Sequence, residues 1–172
     1  MNRRGSPSPD VAAAGRVKRA GRRVLDDPRH DPYEPVGKYR EPTRCGDCGA
    51  VYRQGRWQWR EAPAGAAVET CPACRRIRDD LPAGWLVLGG PYAAQHRDEL
   101  LALVRHEAEH ERIEHPQNRI LRIDLHDERV EIATTDIHLP QRLGRALKRA
   151  HGGELAIQYG KDEYSVQLRW TR

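Results

Sequence analysis

Two pairs of cysteines are the residues of this sequence with the clearest chemistry. Two residues separate Cys45 from Cys48 and Cys71 from Cys74, and 22 residues, 49–70, lie between the pairs. Each pair can present two thiolates from one tight turn, so the four sulfurs can surround one tetrahedral Zn²⁺ at about 2.3 Å. Because four protein ligands leave no coordination position for water, we predict one structural, non-catalytic Zn²⁺.

Other chemistry for the four cysteines stays open at this point. An iron–sulfur cluster also takes four thiolates, and spacing alone does not distinguish it from zinc. A thioredoxin-like redox pair needs one Cys-x-x-Cys in a βαβ context, whereas "AVYRQGRWQW" between the pairs predicts a β-hairpin. Neither a secretory leader nor a membrane-spanning stretch is evident, so we expect a reducing cytoplasmic setting without membrane association, where metal binding is favoured over disulfides.

A second candidate metal site is the pattern H-E-x-x-H at His106, Glu107 and His110. In zinc metalloproteases the two histidines of this pattern bind the metal, and the glutamate is the general base. A longer form of the motif requires Gly at 113 and His at 116, but the chain has Ile113 and Pro116. The surrounding charged residues predict a solvated helix face with local ion pairs: Arg105, Glu107, Glu111, Arg112 and Glu114. A metallohydrolase is therefore retained only as an alternative.

The charge of the chain favours a polyanionic partner, since its formal net charge is +5. On the predicted hairpin, aromatic rings alternate with arginines, which suits stacking on unpaired RNA bases. Alternatively, the same rings form the core of a very small unit. The arginines after the second cysteine pair would contact phosphates or offset the charge of about −2 on a four-thiolate zinc centre. The residues that we predict to contact RNA are Arg53, Arg56, Trp57, Trp59, Arg60, Arg75, Arg76, Arg142, Arg145, Lys148 and Arg149.

The last four of these residues lie on a helix predicted from the apolar spacing in "HLPQRLGRALKRAHGG". A basic helix backed by a small sheet can form a phosphate-binding surface. The alternative is a solvated helix whose alkyl stems cover the edge of the sheet.

Hydrophobic periodicity and turn residues divide the chain into four parts and predict the fold class α+β. Residues 1–40 are rich in proline and arginine without periodicity, which predicts a disordered basic tail. Residues 41–90 are assigned to a zinc ribbon. Residues 91–116 form a connecting α-helix, with its body over 93–114, and residues 117–172 a ββαββ module.

Four stretches of the sequence together resemble a family: "DPYEPVGKYREPTRCGDCGAVYRQGRWQW", "CPACRRIRDDLPAGWLVLGG", "EHPQNRILRI" and "TTDIHLPQRLGRALKRAHGGEL". They resemble a group of small bacterial zinc-ribbon proteins, which is itself distantly similar to the archaeal and eukaryotic adaptor for export of the large ribosomal subunit. The resemblance implies a zinc module followed by small α+β domains that dock on ribosomal RNA or proteins. Only the four cysteines carry over, as zinc ligands, and nuclear export has no counterpart in a bacterium.

These observations combine into one expectation: a non-enzymatic, cytoplasmic zinc-ribbon protein that binds RNA on the ribosome, with a role in translation or stress. The main alternative is a protein-interaction or transcription-associated adaptor that uses the same hairpin. No Gly-rich phosphate loop or catalytic triad signature is evident, so we expect no small-molecule substrate.

Overall fold

The computed structural model describes residues 31–35, 37–161 and 164–172. Over these residues the protein is mixed α+β, with two sheets and four helices. Most of the predicted tail, residues 1–30, lies outside the described residues. Its last part differs from the prediction, because Tyr39 is buried and Asp31 forms an ion pair with Arg76. None of the described helices is both long and apolar enough to cross a membrane.

The smaller sheet and one helix surround the cysteines. Its four strands lie in the order β3-β2-β1-β4, with β1 parallel to β4 and the other pairs antiparallel. The elements are β1 (Thr43–Cys45), β2 (Val51–Arg53), β3 (Arg56–Gln58), β4 (Ala67–Glu69) and α1 (Pro72–Asp79). The predicted hairpin is β2–β3, turning at Gln54 and Gly55, whose φ angles of 56° and 74° suit a tight two-residue turn. The Glu41 carboxylate accepts both of their N–H groups, at 2.8 and 2.9 Å.

Three aromatic rings form the core of this smaller unit. Tyr39, Tyr52 and Trp57 have ring centroids 4.9–5.5 Å apart, in tilted and edge-on arrangements. Trp57 is only 6% exposed. The alternative interpretation of the hairpin rings therefore holds for Trp57, which packs inward and not toward a ligand.

The central strand of the larger sheet comprises residues 84–89, which the sequence analysis assigned to the zinc ribbon. Its strands lie in the order β6-β7-β5-β9-β8, and β5 pairs antiparallel with β7 and parallel with β9. Its elements are β5 (Gly84–Gly89), α2 (Pro91–Gln95), α3 (Arg97–Glu114), β6 (Ile120–Leu125), β7 (Arg129–Thr134), α4 (Leu139–His151), β8 (Glu154–Tyr159) and β9 (Val166–Thr171). The predicted zinc-ribbon boundary at residue 90 therefore lies too late, since "GWLVLG" is the centre of the other sheet. Its continuous apolar run is typical of a strand that is buried among neighbours.

Helices α3 and α4 share one hydrophobic core with the larger sheet. The predicted apolar stripe of α3 is confirmed, because Leu100, Leu101, Val104 and Ala108 are buried. They lie in the same cluster as Leu143 of α4 and residues of β5, β7 and β9. The predicted single helix over 93–114 is divided instead, with His96 (φ −112°, ψ 25°) between α2 and α3.

Asp136 holds the start of α4. One of its carboxylate oxygens accepts the N–H groups of His138, at 2.7 Å, and Leu139, at 3.0 Å. These bonds satisfy backbone donors that have no partner inside the helix. Burial raises the pKa of Asp136 to about 6, although both hydrogen bonds lower it.

We expect Asp136→Asn to flatten the pH dependence of stability, since Asn keeps an acceptor oxygen but carries no charge. The raised pKa means that the Asp136 carboxyl stays protonated up to about pH 6 in the native state, whereas in the unfolded state it loses its proton at about pH 3.9. The free energy of unfolding therefore falls as pH rises through this window, by about 1 kcal/mol between pH 5 and 7. Urea denaturation of both proteins at pH 5 and 7 measures the difference. An equal change in the free energy of unfolding between pH 5 and 7 in both proteins would contradict a buried Asp136 carboxyl with a raised pKa.

Candidate metal centre

The four cysteine sulfurs converge on one point. All four Sγ atoms lie within 4.8 Å of one another, and those of Cys48 and Cys71 are 3.8 Å apart. A tetrahedron of sulfurs around Zn²⁺ at about 2.3 Å has edges of roughly 3.8 Å. Cys45, Cys71 and Cys74 are buried, and Cys48 is half-buried. The predicted ligands are thus brought together with a spacing that fits one tetrahedral metal ion.

Local backbone geometry presents the two pairs from different elements. After β1, the chain turns back with a hydrogen bond from Gly49 N–H to Cys45 O of 3.0 Å, and the φ of 80° at Gly49 suits glycine. The second pair begins α1, with Cys71 as the N-cap residue. The N–H of Cys71 also donates to Cys45 Sγ at 3.3 Å. Backbone N–H groups at a helix start favour negative charge, which suits thiolates there.

Arg119 covers the cluster, and sequence reasoning did not identify it. Its guanidinium donates to the Sγ atoms of Cys48, Cys71 and Cys74, each at 3.4 Å. Its Nε donates to Pro116 O at 2.6 Å, which fixes the orientation of the fork. A fixed cation on three sulfurs offsets the charge of about −2 that four thiolates would leave on Zn²⁺. In the sequence, Arg119 lies just before an alternating strand and ends the polar run "PQNR", and neither feature indicates a contact with the cysteines.

Gln117 and Thr135 connect this cluster to the larger sheet. The Gln117 side-chain oxygen accepts the N–H of Ala73, the residue between Cys71 and Cys74, at 3.1 Å. The Thr135 hydroxyl donates to Gln117 O at 2.6 Å and accepts the N–H of Arg119 at 3.0 Å. The segment 117–119 therefore bonds the cysteines on one side and the end of β7 on the other.

Hydrogen bonding and burial shift the pKa values of the thiols in opposite directions. Sharing a hydrogen bond with Cys71 lowers the pKa of Cys48 to about 4 and raises the pKa of Cys71. Burial raises the pKa of Cys74 to about 11. Burial lowers the pKa of Arg119, but its bond to Cys74 and the nearby negative charge outweigh this effect and raise the pKa overall. The arginine therefore stays charged beside the sulfurs.

Two of the predicted RNA contacts are incompatible with their surroundings. Arg76 is only 3% exposed, because its guanidinium bonds Asp31 at 2.5 Å and Leu81 O at 3.0 Å. Trp57 is enclosed by the two tyrosines of the small core. Neither side chain can reach an RNA strand without unpacking, so both predictions were wrong. Arg75 is partly exposed and pairs with Glu69 at 3.7 Å.

The other predicted RNA contacts are on the surface. Trp59 is 37% exposed, and Arg142 pairs with Glu111 at 2.9 Å. Six of these predicted contacts are exposed cations that form no ion pair within the part of the chain that the structure describes: Arg53, Arg56, Arg60, Arg145, Lys148 and Arg149. The first three lie on or beside the β2–β3 hairpin, and the others lie on α4. Both surfaces contact the same end of α3, through Trp59 to Arg112 O and Arg142 to Glu111.

Among the described residues, no third ligand completes a metal cluster with the H-E-x-x-H residues. His106 and His110 are exposed, with ring centroids 4.5 Å apart. Across residues 31–35, 37–161 and 164–172, the cysteines are the one group of three or more candidate ligands that converge. The expected solvated face is wrong for Glu111, which is 5% exposed and accepts a hydrogen bond from Asn118 at 3.0 Å.

The geometry and chemistry of this chain point to one functional feature, the cysteine cluster. The cysteine cluster can hold a metal ion, and the donor set and the sulfur spacing fit Zn²⁺. Comparisons with family models, with curated proteins and with solved structures gave no significant match.

Proposed function

We propose that this protein is a non-catalytic zinc-ribbon protein that binds RNA, with ribosomal RNA as its target. The observation that carries the RNA part is the presence of six exposed cations, without ion-pair partners among the described residues, on two surfaces that meet one end of α3. The resemblance to ribosome-associated zinc proteins supports the same partner. The metal serves the fold, because four thiolates occupy every position of a tetrahedral site.

The zinc-ribbon assignment is supported by the elements that carry the ligands. One pair follows a short strand next to a hairpin, and the other begins a helix. Zinc is favoured over an iron–sulfur cluster because the Cys48 and Cys71 sulfurs, 3.8 Å apart, match the edge of a tetrahedron around one Zn²⁺, whereas a cluster with inorganic sulfide holds its cysteine sulfurs farther apart. A metal with three buried ligands and one half-buried ligand, and with no redox chemistry, then adds to the small core of this unit.

Phosphate binding is expected to appear in the salt dependence of RNA affinity. Each cation that neutralises a phosphate of a single strand contributes about −0.7 to the slope of log K against log salt concentration. Replacing Arg145, Lys148 and Arg149 by Ala should therefore make the slope shallower by about 2 and weaken binding at low salt. Fluorescence anisotropy with a labelled single-stranded RNA at several salt concentrations measures both quantities.

A matched control removes cations that are already paired. Arg78 bonds Asp47 at 2.8 Å and Arg129 bonds Glu131 at 2.7 Å, so replacing these two by Ala should leave the slope almost unchanged. An α4 variant with the wild-type slope would exclude α4 as the phosphate surface. Cosedimentation with ribosomes at low salt tests the target, and partners that persist after nuclease treatment would favour a protein-interaction adaptor instead.

A further inference from the structure

A cleft separates the β2–β3 hairpin from the C-terminal end of α3. Its volume is about 400 Å³, within the range of small-ligand sites and sufficient for a nucleobase with part of its sugar. Arg56, Gln58 and Trp59 line the side of the hairpin, and Glu114 and Asn118 lie opposite. The hairpin wall belongs to the unit of the smaller sheet, and the α3 wall belongs to the unit of the larger sheet. Segment 117–119 connects the two units through its hydrogen bonds to the cysteine cluster and to Thr135.

Trp59 is held rigidly at this cleft. Its Nε1 donates to Arg112 O at 2.6 Å, and the Arg112 guanidinium lies 5.5 Å from the ring centroid. Arg112 is itself fixed by two hydrogen bonds to Glu109, at 2.9 and 3.0 Å. The ring nevertheless stays 37% exposed. An oriented, partly exposed indole favours stacking, because little conformational entropy is lost when a base settles on it.

Several polar side chains around the cleft already have hydrogen-bond partners. The Gln58 amide donates to Arg53 O at 2.6 Å, and the Asn118 amide donates to Glu111 at 3.0 Å. The Glu114 carboxylate is exposed and forms no ion pair in the described part of the chain. It can accept two hydrogen bonds side by side. Guanine presents two adjacent N–H donors, at N1 and N2, on its Watson–Crick edge, whereas uracil presents one N–H between two oxygens.

We propose that this cleft binds one unpaired guanine of an RNA strand. The base stacks on Trp59, its N1 and N2 donors bond Glu114, and an adjacent phosphate contacts Arg56, which has no ion-pair partner among the described residues. The proposal rests on the RNA-binding function, and it adds a base preference that phosphate contacts alone do not give.

The test uses the full zinc-loaded chain and labelled single-stranded RNAs of nine uridines, with the central uridine kept or replaced by G, A or C. We expect the G-containing RNA to bind about tenfold more tightly than the all-uridine RNA, as is typical of paired hydrogen bonds to a charged acceptor. Glu114→Gln should remove most of this preference, measured as the ratio of the affinities for the G-containing and all-uridine RNAs. Trp59→Leu should weaken binding of the G-containing RNA about tenfold through the lost stacking.

Matched controls separate the cleft from general effects of charge and fold. Glu128→Gln removes an exposed carboxylate elsewhere, and Tyr159→Ala removes an aromatic ring that is 56% exposed on β8. Both should keep the G preference, and one zinc per chain should remain in every variant. Binding of all four RNAs with equal affinity, or a G preference that survives Glu114→Gln, would overturn the guanine site while the RNA-binding function stands. No binding to any RNA at low salt would overturn both.

Discussion

Replacement of Cys71, a candidate metal ligand, is expected to unfold the smaller unit and leave the larger sheet folded. Cys71→Ser removes a buried thiolate at the start of α1 whose sulfur lies 3.8 Å from Cys48. Structural zinc contributes about 10–16 kcal/mol to folding in zinc-finger peptides at pH 7. The smaller unit offers little to replace that contribution, because its core consists of three aromatic rings and a few small residues.

Hydrogen exchange followed by mass spectrometry distinguishes the two units in this variant. Amides of residues 43–79 should lose protection, whereas β5, β7 and β9 should keep it because they share a separate core with α3 and α4. Zinc content should fall from one ion per chain to none. His110→Ala is the matched control and should retain the ion, since His110 is an exposed helix residue away from the cysteine cluster. Intact protection of 43–79 in a zinc-free Cys71→Ser protein would contradict a structural role for the metal.

The cysteine cluster was predictable because its signal is local. Two residues between cysteines almost force a pair of sulfurs onto one turn, and only one long-range contact, between the pairs, had to be inferred. The apolar stripe of α3 was predictable for the same reason, since helical periodicity repeats within a few residues. Both features follow from short stretches of chain, whatever the rest of the fold does.

Apart from the division of the predicted helix at His96, the errors concern contacts between residues that are distant in sequence. Strand β5 follows α1 directly, so it was grouped with the cysteines, although its partners β7 and β9 lie about 45 and 80 residues later. Arg76 was predicted to contact RNA and Glu111 to lie on a solvated face, since charged residues are mostly exposed. Each is buried by a partner that periodicity does not reveal, Asp31 and Arg142 respectively. Arg119 belongs to the same class, since its role depends on cysteines 45 to 71 residues away.

Arg119→Gln is expected to weaken both metal retention and the connection between the two units. The substitution leaves three sulfurs without their shared cation and Pro116 O without its donor. Loss of a group that supports metal ligands typically lowers metal affinity about 10–100-fold. Competition with a chromophoric zinc chelator measures the affinity directly.

Arg119→Lys and Arg122→Gln show which property of the side chain matters. Lysine keeps the charge but lacks the planar fork that reaches three sulfurs at 3.4 Å, so its zinc affinity should fall between those of the Gln variant and wild type. Arg122, on the exposed side of β6, bonds Asp124 at 2.8 Å, and Arg122→Gln should change zinc affinity very little. In Arg119→Gln the N–H of residue 119 can still donate to Thr135, so the sheet should persist while exchange rises in 71–79 and 117–119. Zinc affinity equal to that of Arg122→Gln would mean that the guanidinium only fills space above the cysteines, and that the metal and the larger sheet are held independently.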